Sequence, residues 1–254
     1  MDLIFLGTGG GRWTTITQKL KTGGFRLHAN EKIHIDPGPG ALVNSYEYGI
    51  SPLDTDAIFV THCHPDHYND AEILIEAMTR GMTSRRGMLA ASESVIIGND
   101  KVGPGISNYH KNFVDYEILK PGGKIRLEGI EVLALPARHS DPSTVGLSFL
   151  MDSKTITYTS DTEFFEELID IYSGSDIIIF NVMRPGSDRI PWHLCADDVI
   201  KILKGIEPKP ELAILNHFGL KIISFQDEEA IRVSRETGVK TIAAKDGLRL
   251  RINL

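Results

Sequence analysis

The sequence predicts an α/β protein in which two mixed sheets pack face to face with helices on the outside. Strand-like apolar segments recur through both halves of the chain and outnumber the helical ones. They follow one another in adjacent groups with only a few helices between, which argues against a strictly alternating parallel sheet. No low-complexity linker or short-period repeat divides the 254 residues, so a single domain spanning 1–254 is expected. With 41% hydrophobic and 24% charged residues, the composition is that of a folded protein able to bury a large core.

In chain order, strands are read in "LIFLG" at 3–7, "GFRLHA" at 24–29, "KIHID" at 32–36 and "AIFVT" at 57–61. "SVIIG" at 94–98, "KIRL" at 124–127 and "IEVLALP" at 130–136 continue the series. The second half adds "VGLSFLM" at 145–151, "TITYTS" at 155–160, "DIIIFNV" at 176–182, "LAILNH" at 212–217, "TIAA" at 241–244 and "LRLRI" at 248–252. Helices are expected at 68–80, where Leu74 and Met78 share a face, at 163–172, at 196–204, and at 227–237, where Ala230 and Val233 share one. Glycine and proline clusters at 102–105 and 121–123 read as turns.

A formal charge of -7 disfavours an extended nucleic-acid surface and favours small or short substrates. Two cysteines, Cys63 and Cys195, cannot build a disulfide framework, which fits a reducing cytoplasm. The opening "MDLIFLGTGGG" has no basic segment before its short apolar run, so a signal peptide is not expected, and no apolar run is long enough to span a membrane.

The chemistry concentrates in "THCHPDH" at 61–67, directly after a buried strand. Imidazole and carboxylate are ligands of divalent transition metals, and a strand end can splay them into a pocket. His62, His64 and Asp66 share parity in an extended chain. Pro65 suits the first turn of a following helix, so Asp66 and His67 can swing into a second, adjacent position. Further candidates close later strands: His139 in "ALPARHS", Asp161 in "YTSDT" and His217 in "AILNHFG". Singly, each has an ordinary structural reading, as a turn residue, a helix cap or a satisfied strand-end histidine.

Taken together, "HCHPDH", "HSD", "SDT" and "NHF" resemble the HxHxDH-H-D-H signature of the metallo-β-lactamase fold hydrolases. The resemblance implies a four-layer αββα sandwich and two divalent metal ions, zinc first, with manganese or iron as alternatives. It implies one ion held by His62, His64 and His139, the other by Asp66, His67 and His217, with Asp161 bridging. "GTGGG" at 7–11 and "IHIDPGPG" at 33–40 resemble the family's opening region, where an aspartate supports a metal ligand from behind; here that is Asp36, for which a turn-capping role is equally expected. "GTGGG" lacks the third glycine of a dinucleotide fingerprint and is read as a flexible loop beside the pocket.

"PWHLCADDVIKIL" resembles the catalytic histidine loop of the ribonuclease Z and PhnP-type phosphodiesterases, which makes His193 a general-acid candidate and Asp66 the residue holding the attacking water. Relatives in this branch often carry an acidic residue where Asn181 stands, so Asp197 or Asp198 is expected to orient His193 instead. The 22 residues from His139 to Asp161 hold one hairpin and leave no room for the tRNA-binding arm. The expected activity is hydrolysis of small cyclic or short phosphodiesters by a soluble, cytoplasmic enzyme, with a homodimer as a compatible assembly. The alternatives are a lactonase or thioesterase of the same fold, a tRNA 3′-processing endoribonuclease and, last, a metal-dependent scaffold. Arg12, Lys19, Lys21, Arg80, Arg85, Arg86 and Arg184 could meet phosphate, though solvated surface is the simpler reading for most. His28, His34 and His110 are read as structural or exposed, and neither cysteine as a ligand.

Overall fold

The computed structural model describes residues 1–253. The first sheet uses β1 (Asp2–Phe5), β2 (Phe25–His28), β3 (Lys32–Ile35), β4 (Ala57–Val60), β5 (Met88–Ser92) and β6 (Asp115–Leu119). The second uses β7 (Lys124–Leu127), β8 (Ile130–Pro136), β9 (Val145–Met151), β10 (Lys154–Tyr158), β11 (Ile177–Arg184), β13 (Leu212–Asn216) and β14 (Thr241–Ala243), with β12 (Leu194–Cys195) pairing beside β11. The last strand, β15 (Arg249–Arg251), returns to pair with β1, so the first sheet runs β15-β1-β2-β3-β4-β5-β6. In each sheet antiparallel hairpins give way to parallel strands: β3 to β6 in one, and β10, β11, β13 and β14 in the other.

Strand alternation explains the layering. On β1, Leu3 and Phe5 point between the sheets, while Ile4 points outward into a cluster with Leu6 and Ile50. The inner core joins Phe25, Ile33 and Phe59 of the first sheet to Leu147, Phe149 and Ile156 of the second. Phe59 and Phe149 meet edge-on at 5.8 Å, a contact worth about 0.5–1.5 kcal/mol beyond its buried area.

Helices cover the outer faces, except the first and third, whose residues line a cavity at one edge. They are α1 (Arg12–Thr17), α2 (Ala41–Glu47), α3 (Pro65–Tyr68), α4 (Ala71–Met78), α5 (Glu93–Ile96), α6 (Asn108–Lys111), α7 (Leu168–Tyr172), α8 (Ala196–Gly205) and α9 (Gln226–Thr237). α8 starts where Asp198 reaches back to the Cys195 backbone N–H at 3.1 Å, and it buries Val199, Ile202 and Leu203 against the second sheet. Full burial of one such side chain is worth about 1.5–3 kcal/mol.

Several expectations need correction. "SVIIG" is not a strand: its first residues lie in α5, and the strand is the preceding "MLAAS", whose small residues pack between β4 and β6. The helix expected at 68–80 shortens to α4, and Tyr68 instead closes the separate short turn of helix that Pro65 starts. The helix expected at 163–172 shortens to α7. α1, α2, α6 and β6 were not foreseen.

The ends of β4, β8, β10 and β13 lead within three residues to His62, His139, Asp161 and His217. The first loop joins the two sheets at this edge, where Gly9 bridges to Phe218 and Phe218 N–H donates to Thr8 O at 2.7 Å.

Candidate metal centre

His62 and His64 sit in the turn between β4 and α3, and Pro65 fills the first position of α3, as its fixed φ favours. His62 Nε2 lies 3.0 Å from His64 Nδ1, and His139 Nε2 lies 3.1 Å from that same atom. A second group forms alongside. His67 Nε2 and His217 Nε2 are 3.0 Å apart, and Asp66 Oδ2 is 3.4 Å from His217 Nε2. Between them stands Asp161: Oδ2 is 3.5 Å from His67 and 3.9 Å from both His62 and His139, while Oδ1 is 3.4 Å from His217. The seven residues read from the sequence are thus brought together as two adjoining triads with one carboxylate facing both.

This donor set fits divalent metal. Ligand atoms about 2.0–2.1 Å from a tetrahedral ion stand roughly 3.3 Å from one another, close to the separations here. Two of the far nitrogens are tied down by oxygen, which turns the lone pairs of those rings inward. His139 Nδ1 donates to Trp192 O at 2.9 Å, and His67 Nδ1 meets Asp36 Oδ2 at 2.9 Å. Burial, reinforced by neighbouring imidazoles, holds His62 well below the usual histidine range; burial likewise brings His139 down to about 4 against the opposing pull of Asp161. Both are neutral bases at pH 7. His67 is the exception: burial disfavours its charge, but Asp161, Asp36 and Asp66 outweigh burial and raise it well above the usual range. Burial would raise Asp66 and Asp161, yet the facing histidines hold both low.

Asp36 stands behind the site with φ of 49°. Besides His67, it accepts from Thr61 N–H at 2.7 Å, Thr61 Oγ1–H at 2.8 Å and Tyr158 O–H at 2.9 Å. Tyr158 in turn accepts from Asn181 Nδ2 at 3.0 Å, and the same amide donates to Asp161 Oδ1 at 2.8 Å. A carboxylate at 181 would donate to neither; asparagine's two N–H bonds join Asp161 to Asp36 through Tyr158.

Sequence reading missed Tyr158 because it lies within a strand and looks like core. It also missed Asp141, part of the quoted "HSD", which is buried and accepts from Cys63 N–H at 3.0 Å and Ser94 O–H at 2.5 Å, pinning the histidine-rich turn. Spacing to His139 was the available signal.

The glycine-rich loop is close-packed rather than flexible. A Cβ on Gly10 would come within 2.2 Å of the His217 ring, and Gly11 N–H donates to Asp66 Oδ2 at 2.7 Å.

His193 faces the same centre. Its Nδ1 donates to Pro191 O at 3.0 Å, and its Nε2 points at Asp161 Oδ2 at 3.4 Å. Burial lowers its proton affinity, but the hydrogen bond to Asp161 and the Asp161 charge prevail, and the net shift is upward. Neither Asp197 nor Asp198 orients it. Asp197 pairs with Arg232 at 2.7 Å, and Asp198 caps α8 and pairs with Arg189 at 2.5 Å. Of the basic residues singled out, Arg12 and Arg184 line the cavity above the histidines; Arg80, Arg85 and Arg86 pair with Asp54, Asp115 and Asp56, and Lys21 with Glu47. Lys221, which also lines it, was not foreseen. Between His139 and Asp161 the chain forms only the β9–β10 hairpin.

No helix among the described residues is long and apolar enough to cross a membrane. An uncharacterized protein of Methanocaldococcus jannaschii is 44% identical, over 99% of this chain and 95% of its own. A ribonuclease Z of Pyrococcus furiosus is 30% identical over 56% of this chain and 46% of its own, and a metal-dependent hydrolase of Thermus thermophilus 26% identical over 81% and 84%. Among solved structures, the metallo-β-lactamase fold protein YhfI from Bacillus subtilis superposes with a TM-score of 0.80 at 17% identity, covering 98% of each chain. A diphosphatase of the PhnP family superposes with a TM-score of 0.71 at 19% identity, covering 100% and 99%. The family model described as the beta-lactamase superfamily domain matches residues 31–218, and with the two sheets and the clustered histidines this chain belongs to that superfamily, as a metal-dependent hydrolase of metallo-β-lactamase fold.

Proposed function

We propose that the protein is a dinuclear metal-dependent phosphodiesterase that cleaves small cyclic or short phosphodiesters. In this reading His62, His64 and His139 hold one ion, Asp66, His67 and His217 the other, and Asp161 bridges them. Bound there, divalent zinc, manganese or iron would supply positive charge for phosphoryl oxygens and acidify a water molecule. The chain's own residues do the rest. Asp66, fixed by Gly11 N–H, has a carboxylate edge beside the centre to orient and accept from that water.

The observation that carries the phosphodiesterase reading is His193. It stands outside the two triads, lines the cavity, and has Nδ1 committed to a backbone carbonyl, so Nε2, which faces Asp161 at 3.4 Å, is the atom left to carry a proton to a departing alkoxide. A lactone or thioester hydrolase would use the same triads without that requirement. The small β9–β10 hairpin supports short substrates over a tRNA body.

The test uses metal-loaded protein, an alkyl diester, bis(p-nitrophenyl) phosphate, a lactone, a thioester and a precursor tRNA. His193→Ala is expected to keep its metal and fold and to lose about 10²–10⁴-fold on the alkyl diester. The loss should be smaller with p-nitrophenolate, which departs unprotonated. Unchanged rates on both diesters would return the assignment to a lactonase or thioesterase, and loss of metal would make His193 a ligand.

A further inference from the structure

Three segments meet on the floor of the cavity beside the metal centre. A Cβ on Gly11 would lie 2.7 Å from Met183 Cε, and one on Gly219 would lie 2.3 Å from Met183 Sδ. The start of α1, the end of β11 and the turn after His217 are therefore in contact. Within a few residues each segment contributes to the cavity wall: Trp13 and Ile16 from α1, Arg184 from β11, and Leu220 with Lys221 from the turn. The metal centre uses none of them.

Trp13 and Ile16 are 68% and 71% exposed, and they stand three residues apart, on one side of α1. With Leu220, which is also exposed, they give the cavity an apolar wall open to a ligand's flat face. Arg184 Nη1 and Lys221 Nζ approach the same carboxylate oxygen, Asp188 Oδ2, at 3.4 and 3.2 Å. Two cations sharing one anion leave this wall positive in a chain whose net charge is -7. The shared contact is partly exposed and weak, so an incoming phosphate with more acceptor oxygens can displace it. The cavity's volume of about 960 Å³ lies at the top of the range for small-ligand sites, more than one cyclic nucleotide would fill.

We infer that this wall is a second recognition site for the substrate: an aromatic base lies against Trp13 and Ile16, and an anionic group remote from the scissile phosphorus is taken by Arg184 and Lys221. The substrate class carrying both features is a short oligonucleotide diester with a terminal phosphate monoester. The inference rests on the phosphodiesterase reading above and adds which diesters are preferred.

The experiment compares a dinucleotide with and without a 5′-phosphate, alongside bis(p-nitrophenyl) phosphate, on the metal-loaded full chain. Both turnover and equilibrium binding are measured. The wild type is expected to favour the phosphorylated dinucleotide by roughly tenfold in KM and in binding, the scale of a charge-assisted contact. In the Arg184→Gln, Lys221→Gln double variant that ratio should fall to about one, while Lys221→Arg with Arg184→Lys should restore part of it. Trp13→Ala should weaken both dinucleotides in parallel by roughly fivefold or more, as loss of a stacking surface does. Equal affinity of the wild type for the two dinucleotides, or a preference that survives the double variant, overturns the inference. A binding preference that follows these variants while no diester is cleaved would uphold the inference and overturn the phosphodiesterase reading instead.

Discussion

The metal centre and the outer face of the first sheet both bury histidine, and they do it in opposite ways. At the centre, imidazole nitrogens of four histidines approach one another to 3.0 Å in pairs, and the far nitrogens of His67 and His139 are tied to a carboxylate and a carbonyl oxygen. On the sheet face, His34 is equally inaccessible, but its Nε2 donates to Gly23 O at 2.8 Å and its Nδ1 meets no protein partner. Beside it Arg26 is also fully buried, its guanidinium without a protein hydrogen-bond partner; burial lowers it to about 10 against the pull of Asp56 and Asp54. Burial alone therefore does not identify a functional histidine. Convergence of lone pairs does, because several neutral bases facing inward without donors are costly unless a cation satisfies them.

The comparison is broken most directly at Asp161, the carboxylate that faces both triads. Asp161→Ala should lose dinuclear occupancy and reduce hydrolysis by more than about 10²-fold, above what removing an outer hydrogen-bond partner costs. Elemental analysis after dialysis, beside His34→Gln as the control, reads this out. Two ions retained in the Asp161 variant, or metal lost from the His34 variant, would erase the proposed distinction between the two regions.

A smaller effect is expected one contact further out. Asn181→Leu removes both amide hydrogen bonds, freeing Asp161 from Tyr158 while leaving every candidate ligand in place. Metal affinity, measured by competition with a chelator, should fall by about 10–100-fold. Tyr158→Phe, which deletes only the hydroxyl shared with Asp36, should lie between this variant and wild type. Unchanged affinity in both would mean that Asp161 is positioned by its strand alone.

The reach of sequence reading follows the same division. Candidate ligands next to the ends of apolar strands were legible because strand, turn and side chain are contiguous: His62, His64, Asp66 and His67 in one run, His139, Asp161 and His217 in another three. The antiparallel and parallel strands were legible where their apolar runs were long, as in β8, β9 and β11. What could not be read was set by contacts between distant segments. Tyr158 has no local mark of function, and its partner Asp36 lies 122 residues away. α5 was mistaken for a strand because a four-residue apolar helix and a buried strand share the same local pattern. Lys221 has no local mark either, because only the fold brings the turn after His217 to the cavity that Arg12 and Arg184 also line.

The smallest effect belongs to His34 and concerns acid stability. Burial lowers His34 to about 3, so it is neutral in the folded protein throughout the ordinary range. In the unfolded chain its pKa is the ordinary value near 6.5. Above that value neither state binds the proton, and His34 adds no pH dependence. Below it the unfolded chain binds one proton more than the folded protein, so stability falls with falling pH until the folded group also titrates. The slope from this residue approaches about 1.4 kcal/mol per pH unit. His28, lowered to about 4 by burial and nearby cations, contributes in the same direction. His67 opposes them in the metal-free protein: raised well above the usual range, it contributes stability that is full at low pH and lost as pH climbs through its folded value. Subtracting His34→Gln from wild type cancels both contributions. The glutamine amide can still donate to Gly23 O, so the variant should differ little at pH 8 and be relatively more stable at pH 5. Denaturant unfolding of chelator-treated protein at the two pH values measures the difference. A wild type that gains on the variant as pH falls would show His34 to be charged in the fold, and its burial beside Arg26 would then need a carboxylate partner that its surroundings do not supply.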